Sequence, residues 1–238
     1  MMKPLNTFGS FVLFGIPATW FLLLTRLFLP YLNSLGFHPA LSWFITGLAV
    51  FVPLFVAAIT FTYREGFKTK HTIYARLRLN KLSRSDWRFV IFGTISAFIL
   101  SGFIMIAATL LTRYLGLPPL KTSPDFLQFE PLAGSQRWLL LVWLVMFFFN
   151  IFGEELLWRG YILPRQEIAF GTHAWAFNSF LWLMFHLCFG FDLMVMLLPI
   201  MVILPYVVHI TRNTTVGILI HALYNGPVFI LVATGVIG

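Results

Sequence analysis

The chain has 238 residues, of which 59% are hydrophobic, 18% aromatic and only 10% charged. A soluble domain of that length needs far more polar surface to cover its core, so the composition excludes water as the main solvent and puts lipid in its place. The formal charge of +8 gives no case for a nucleic-acid partner. Half of the sixteen Lys and Arg residues lie between Arg64 and Arg88, in one short loop, where basic residues set membrane topology and attract anionic lipid.

Hydrophobic stretches recur at close to the roughly 20 residues that a helix needs to cross the hydrocarbon core, and the alternating pattern of a membrane β-barrel is missing. The expected fold is therefore all-α, a polytopic bundle of about seven spans at roughly 8–29, 40–62, 89–112, 138–160, 174–190, 193–211 and 214–237. The first stretch ends in Leu29-Pro30-Tyr31-Leu32-Asn33 rather than in a small-residue cleavage site, and reads as a span. Basic loops stay on the cytoplasmic side, so the 63–88 loop and the N-terminus are expected inside and the 113–137 loop and C-terminus outside, in a cytoplasmic membrane. Arg113 and Arg137 depart from that rule and would snorkel to the outer interface. Within the basic segment, Ile73, Leu77, Leu79 and Leu82 suit a short surface helix, with a solvated linker as the equal alternative. The 117–136 stretch, with Pro118, Pro119, Pro124, Pro131 and Gly134, reads as an irregular connection. One membrane domain covers 1–238, with three spans and their loops in 1–136 and a four-span core in 137–238. The single cysteine, Cys188, rules out an intrachain disulfide framework.

Ionisable side chains inside hydrocarbon are unfavourable by some 2.5–3.5 kcal/mol each, roughly, on insertion scales, so those present are functional candidates. The fourth span ends in Asn150-Ile151-Phe152-Gly153-Glu154-Glu155-Leu156-Leu157-Trp158-Arg159-Gly160. Adjacent helical residues point about 100° apart, so the two carboxylates serve different partners. Glu155 and Arg159 are at i, i+4, the spacing of a helix-face ion pair, and are expected to brace the structure. Glu154 is left as a candidate general base, or else as a carboxylate hydrogen-bonded in a helix interface. His186 on the fifth span, and His221 with Asn225 one turn apart on the seventh, add polar groups that serve either chemistry or helix packing. Counted from the nearest cytoplasmic ends, Glu154, His186 and His221 all lie on the order of 13–20 Å deep. Cys188 points away from His186 and gives no Cys/His pair, while Asp192 and His209 sit near span ends, where solvation is cheap.

The order Glu154-Glu155-x-x-x-Arg159, then His186, then His221-x-x-x-Asn225 resembles the motif set of the CPBP family, intramembrane endopeptidases that include the CAAX prenyl proteases and bacteriocin-processing enzymes. The resemblance covers roughly residues 137–230, including the Arg212-Asn213-Thr214-Thr215 turn, and departs at Trp182, where the family usually has phenylalanine. It implies that Glu154 activates a water held with His186, that His221 and Asn225 stabilise the oxyanion, and that Glu155 and Arg159 brace the site, near the cytoplasmic side. It implies a membrane-associated, CAAX-type or peptide substrate. Zinc is possible but not favoured, since a helix-borne His-Glu-x-x-His is absent. Two other readings stay open: an ion- or proton-coupled transporter using the same charged groups as a relay, and a non-catalytic immunity or scaffold protein.

Overall fold

The computed structural model describes residues 2–127 and 130–236, and among them there is helix, turn and irregular connection but no strand. Six helical stretches are long and apolar enough to cross a membrane. Helices α1 (Thr7–Ser34) and α2 (Pro39–Arg64) come first, and the short α3 (Lys70–Arg76) leads into α4 (Arg84–Leu115). The fourth stretch, Gly134–Phe185, runs 52 residues. A straight helix of that length would span about 78 Å, more than twice the roughly 30 Å hydrocarbon core. It doubles back at Gly171, whose φ of +56° takes the chain out of the helix, and so holds both the fourth and the fifth predicted spans. Its parts are α5 (Leu139–Glu155), a π-helical segment (Leu156–Ile162), α6 (Leu163–Phe170) and α7 (Ala174–Phe185), with α6 and α7 packed together. Helices α8 (Phe191–Thr211) and α9 (Thr214–Ala233) complete the bundle.

Several boundaries differ from the sequence reading, three of them for identifiable reasons. The fourth span does not stop near Gly160, because Arg159 is not an end marker: it is fully buried, and the following Tyr161, Ile162 and Leu163 are buried with it. Helix α4 starts at Arg84 because Ser83 and Asp86 form a capping box, which absorbs the last basic residues of the loop into its first turns. Helix α7 is short, about 18 Å, and gives way at His186 to a 3-10 turn over Leu187–Phe189.

The first spans wrap the last four. Helix α2 packs along α5, α4 lies against α8 and α9, and α1 covers α7. A Cβ on Gly153 would come within 2.6 Å of the Phe51 carbonyl, so only glycine lets α2 approach α5 this closely, one residue before Glu154.

A π-segment inside a membrane leaves carbonyls that side chains must satisfy. Here Asn178 Nδ2 donates to the Trp158 carbonyl at 3.2 Å and to Gln166 Oε1 at 2.8 Å, and Gln166 Nε2 donates to Ser10 Oγ at 3.1 Å. Pro164 has no N–H for the Gly160 carbonyl four residues back, and Arg76 Nη1 donates there at 3.2 Å instead. The 63–88 segment is thus more than a linker. It carries a seven-residue helix, turns Arg76 and Leu77 into the core, and half-buries Ile73, Leu79 and Leu82. The 116–137 connection is irregular as expected, with 3-10 turns at Asp125–Leu127 and Gly134–Trp138.

Candidate active site

The last turn of α5 sends its two carboxylates to different partners. Glu154, 1% exposed, accepts from Asn150 Nδ2 at 2.7 Å and from the indole N–H of Trp182 at 2.5 Å, one bond to each oxygen. Glu155, fully buried, gathers two donors on one oxygen: Arg159 Nη1 at 3.1 Å and His221 Nδ1 at 3.0 Å. Helix α9 reaches this pair only because residue 217 is glycine, since a Cβ there would lie 2.7 Å from Glu155 Oε2.

Trp182 is the hub. Its ring lies edge-on to His186 and His221, with centroids 5.7 and 5.4 Å away, and the Arg159 guanidinium carbon sits 3.6 Å from its own centroid. The residue that departs from the family pattern therefore supplies something phenylalanine lacks, a donor aimed at the candidate base.

His186 caps the last turn of α7. Its Nδ1 lies 2.9 Å from the Trp182 carbonyl, which only accepts, so Nδ1 carries the proton and the lone pair of the neutral ring is on Nε2. His221 donates its Nδ1–H to Glu155 by the same reasoning. Asn225 follows one turn later, half-buried, with its side chain making no hydrogen bond among the described residues. Next to it, Tyr224 is hydrogen-bonded to Ser101 at 2.7 Å and stacked on Phe98, which fixes this turn of α9 against α4.

Three polar atoms in this fully buried region have no hydrogen-bond partner: Glu155 Oε2, Arg159 Nε and Arg159 Nη2. Among the described residues no three His, Cys, Asp or Glu side chains converge as a group that would ligate a metal ion. Both oxygens of Glu154 and the Nδ1 of each histidine are already engaged.

Cys188 is a buried free thiol on the 3-10 turn. Asp192 accepts the Lys121 backbone N–H, and His209 pairs with Glu167, so both lie outside the cluster, as expected. A cavity of about 220 Å³, lined by Arg26, Phe126, Cys188, Phe189, Gly190 and Asp192 among others, abuts the site, since the Phe189 ring lies 5.5 Å from that of His186. It lies at the end of the bundle opposite the 63–88 segment.

Sequence reasoning missed Asn150, Trp182 and Gly217 as parts of this arrangement. Two carried a readable signal: Asn150 is four residues before Glu154, and Gly217 four before His221, so each shares a helix face with the residue it serves.

Residues 136–226 match the family model described as type II CAAX prenyl endopeptidase Rce1-like. No curated protein and no solved structure matches the chain. The matched stretch holds all six residues of the motif set, Glu154, Glu155, Arg159, His186, His221 and Asn225. The chain is an integral membrane protein whose residues 136–226 are similar to the Rce1-like type II CAAX prenyl endopeptidase domain.

Proposed function

We propose that the protein hydrolyses a peptide bond with a water activated by Glu154, without a metal in the step. The observation that carries this reading is the split of the two carboxylates: Glu155 is tied to Arg159 and His221, while Glu154 accepts only from the neutral donors Asn150 and Trp182. A carboxylate that is hydrogen-bonded only by neutral donors, and not paired directly with a cation, is placed to take a proton.

In the proposed step Glu154 removes a proton from a water that also donates to Nε2 of His186. The hydroxide oxygen bonds to the scissile carbonyl carbon, and the carbonyl electrons move to its oxygen. His221 and Asn225 donate to that oxyanion. Because Nδ1–H of His221 is given to Glu155, its Nε2 donates only when the ring carries a second proton. Glu154 then returns the proton to the leaving nitrogen as the C–N bond breaks, giving a carboxylic acid and an amine. Arg159 and Glu155 brace the array. The substrate is a membrane-associated protein or peptide, and the cavity beside Phe189 favours entry from that end rather than from the 63–88 end taken in the sequence reading.

The test is cleavage of a quenched-fluorescent peptide library by purified protein, with and without a strong chelator. Cleavage that survives chelation is expected. Cleavage lost on chelation and restored by zinc would replace this mechanism with a metal-dependent one, and ion flux without cleavage would favour a transporter.

A further inference from the structure

We propose that the 63–88 segment is a seat for anionic phospholipid headgroups, and that lipid bound there steadies α5 and α9, two of the three helices that carry the proposed catalytic groups. Of the eight cations from Arg64 to Arg88, six are exposed and make no ion pair among the described residues: Arg64, Lys68, Lys70, Lys81, Arg84 and Arg88. The other two, Arg76 and Arg78, turn inward to Glu65 and Glu167. No carboxylate offsets the exposed six. Glu65 is taken by Arg76 at 2.7 Å and Arg165 at 2.8 Å, and Asp86 by the Ser83 cap at 2.8 Å.

The position of this surface selects its partner. The segment joins the ends of two spanning helices, α2 and α4, so it lies at headgroup depth. Its exposed rings, Tyr63, Tyr74 and Trp87, are the types that settle at that interface. The ammonium groups of Lys68 and Lys70 lie 5.7 and 5.6 Å from the ring centres of Tyr63 and Tyr74, which holds charge and ring on one face. Unpaired cations beside interfacial aromatics fit the phosphates of an anionic bilayer better than a soluble polyanion.

The same segment is bolted to the π-segment that follows α5 and to the start of α9. Arg76 donates to the Gly160 carbonyl at 3.2 Å and the Tyr161 carbonyl at 3.5 Å, just beyond Arg159, and the Leu77 carbonyl packs where a Cβ on Gly160 would lie, 3.1 Å off. The Arg78 carbonyl accepts the Thr214 N–H at 2.9 Å, at the start of the helix bearing His221 and Asn225. Like charges gathered on one short exposed segment repel one another where they lie within a Debye length of about 8–10 Å, and an anionic headgroup layer relieves that repulsion on the segment that docks both helices.

The effect on cleavage rests on the protease reading; lipid binding itself does not. The experiment compares nanodiscs of phosphatidylcholine with nanodiscs containing phosphatidylglycerol, reading peptide kcat, thermal unfolding and the phosphatidylglycerol retained by native mass spectrometry. Phosphatidylglycerol should be retained, raise the unfolding temperature and raise kcat about fivefold or more. The variant K68Q/K70Q/K81Q/R84Q/R88Q should keep its activity in phosphatidylcholine but lose all three responses. Arg76→Lys should still retain phosphatidylglycerol while its kcat no longer responds. If no lipid supports cleavage, the protease reading fails, and retention with stabilisation still decides the lipid seat. An unchanged response in the neutralised variant, or equal stimulation by a soluble polyglutamate, overturns the proposal.

Discussion

Two charge clusters sit at different depths in this molecule, one partly exposed and one buried, and they are built differently. At the 63–88 end, Glu65 serves Arg76 and Arg165, and Glu167 serves Arg78 and His209, with the carboxylates 23% and 13% exposed. In the bundle interior, Glu155 and Arg159 are both 0% exposed, yet one carboxylate oxygen and two guanidinium nitrogens lack partners. The outer cluster ties loop to helix, Glu65 being shared between two arginines and Glu167 between Arg78 and His209. The inner one is a dry ion pair with open valences, an arrangement that contributes little to stability and is kept where chemistry needs fixed charge. On the proposed function the inner cluster supports the chemistry while the outer one docks the loop, and the π-segment lies between them.

That contrast can be broken most severely at Arg159. Arg159→Ala leaves Glu155 buried without its cation and should destabilise the protein by about 3–5 kcal/mol, read from thermal unfolding. Adding Glu155→Gln should recover part of the loss; no recovery would mean that the pair is not the cause. Next comes His221→Ala, which removes an oxyanion donor and should lower kcat about 10²–10³-fold with little change in KM. An effect confined to KM would move His221 from the chemical step to binding. Trp182→Phe is a sharper probe, because it deletes the N–H on Glu154 while keeping a ring beneath Arg159. We expect kcat to fall roughly tenfold at unchanged unfolding temperature. A fully active Trp182→Phe enzyme would leave the indole a packing role only.

The outer cluster predicts the smallest effect, in stability rather than rate. Burial pushes the Glu65 carboxyl up, but the hydrogen bond and charge of Arg76, with help from Tyr161 and Arg165, outweigh it and hold the group below its usual value. Stabilisation from Glu65 is therefore complete above the ordinary carboxylate range and is lost as pH falls through the lowered folded value. Thermal unfolding of the native protein should weaken across that acid window, and Glu65→Gln should flatten the dependence. An identical acid response in Glu65→Gln would place the sensitivity elsewhere.

Much of this was legible in the sequence, because lipid leaves the chain few choices. The helical fold, the Glu155–Arg159 pair and the separate orientation of Glu154 follow from apolar length and from 3.6-residue geometry. What stayed hidden depended on contacts between distant segments. Arg76 looks like any loop cation until its place against the Gly160 carbonyl is known, and Trp182 looks like a departure from a motif until its N–H is found on Glu154. The reversal at Gly171 was legible as a boundary, whereas the π-segment was not, since its carbonyls are satisfied by Asn178 and Arg76 from elsewhere in the chain.

The measurement that bears most directly on the division between Glu154 and Glu155 is peptide cleavage by Glu154→Gln and Glu155→Gln, each compared with the parent at matched folded protein and with its own unfolding curve. Glu154→Gln should lose about 10²–10⁴-fold in kcat while unfolding at the parent temperature, and Glu155→Gln should unfold earlier. Parent-like turnover by Glu154→Gln would contradict the assignment of Glu154 as the base.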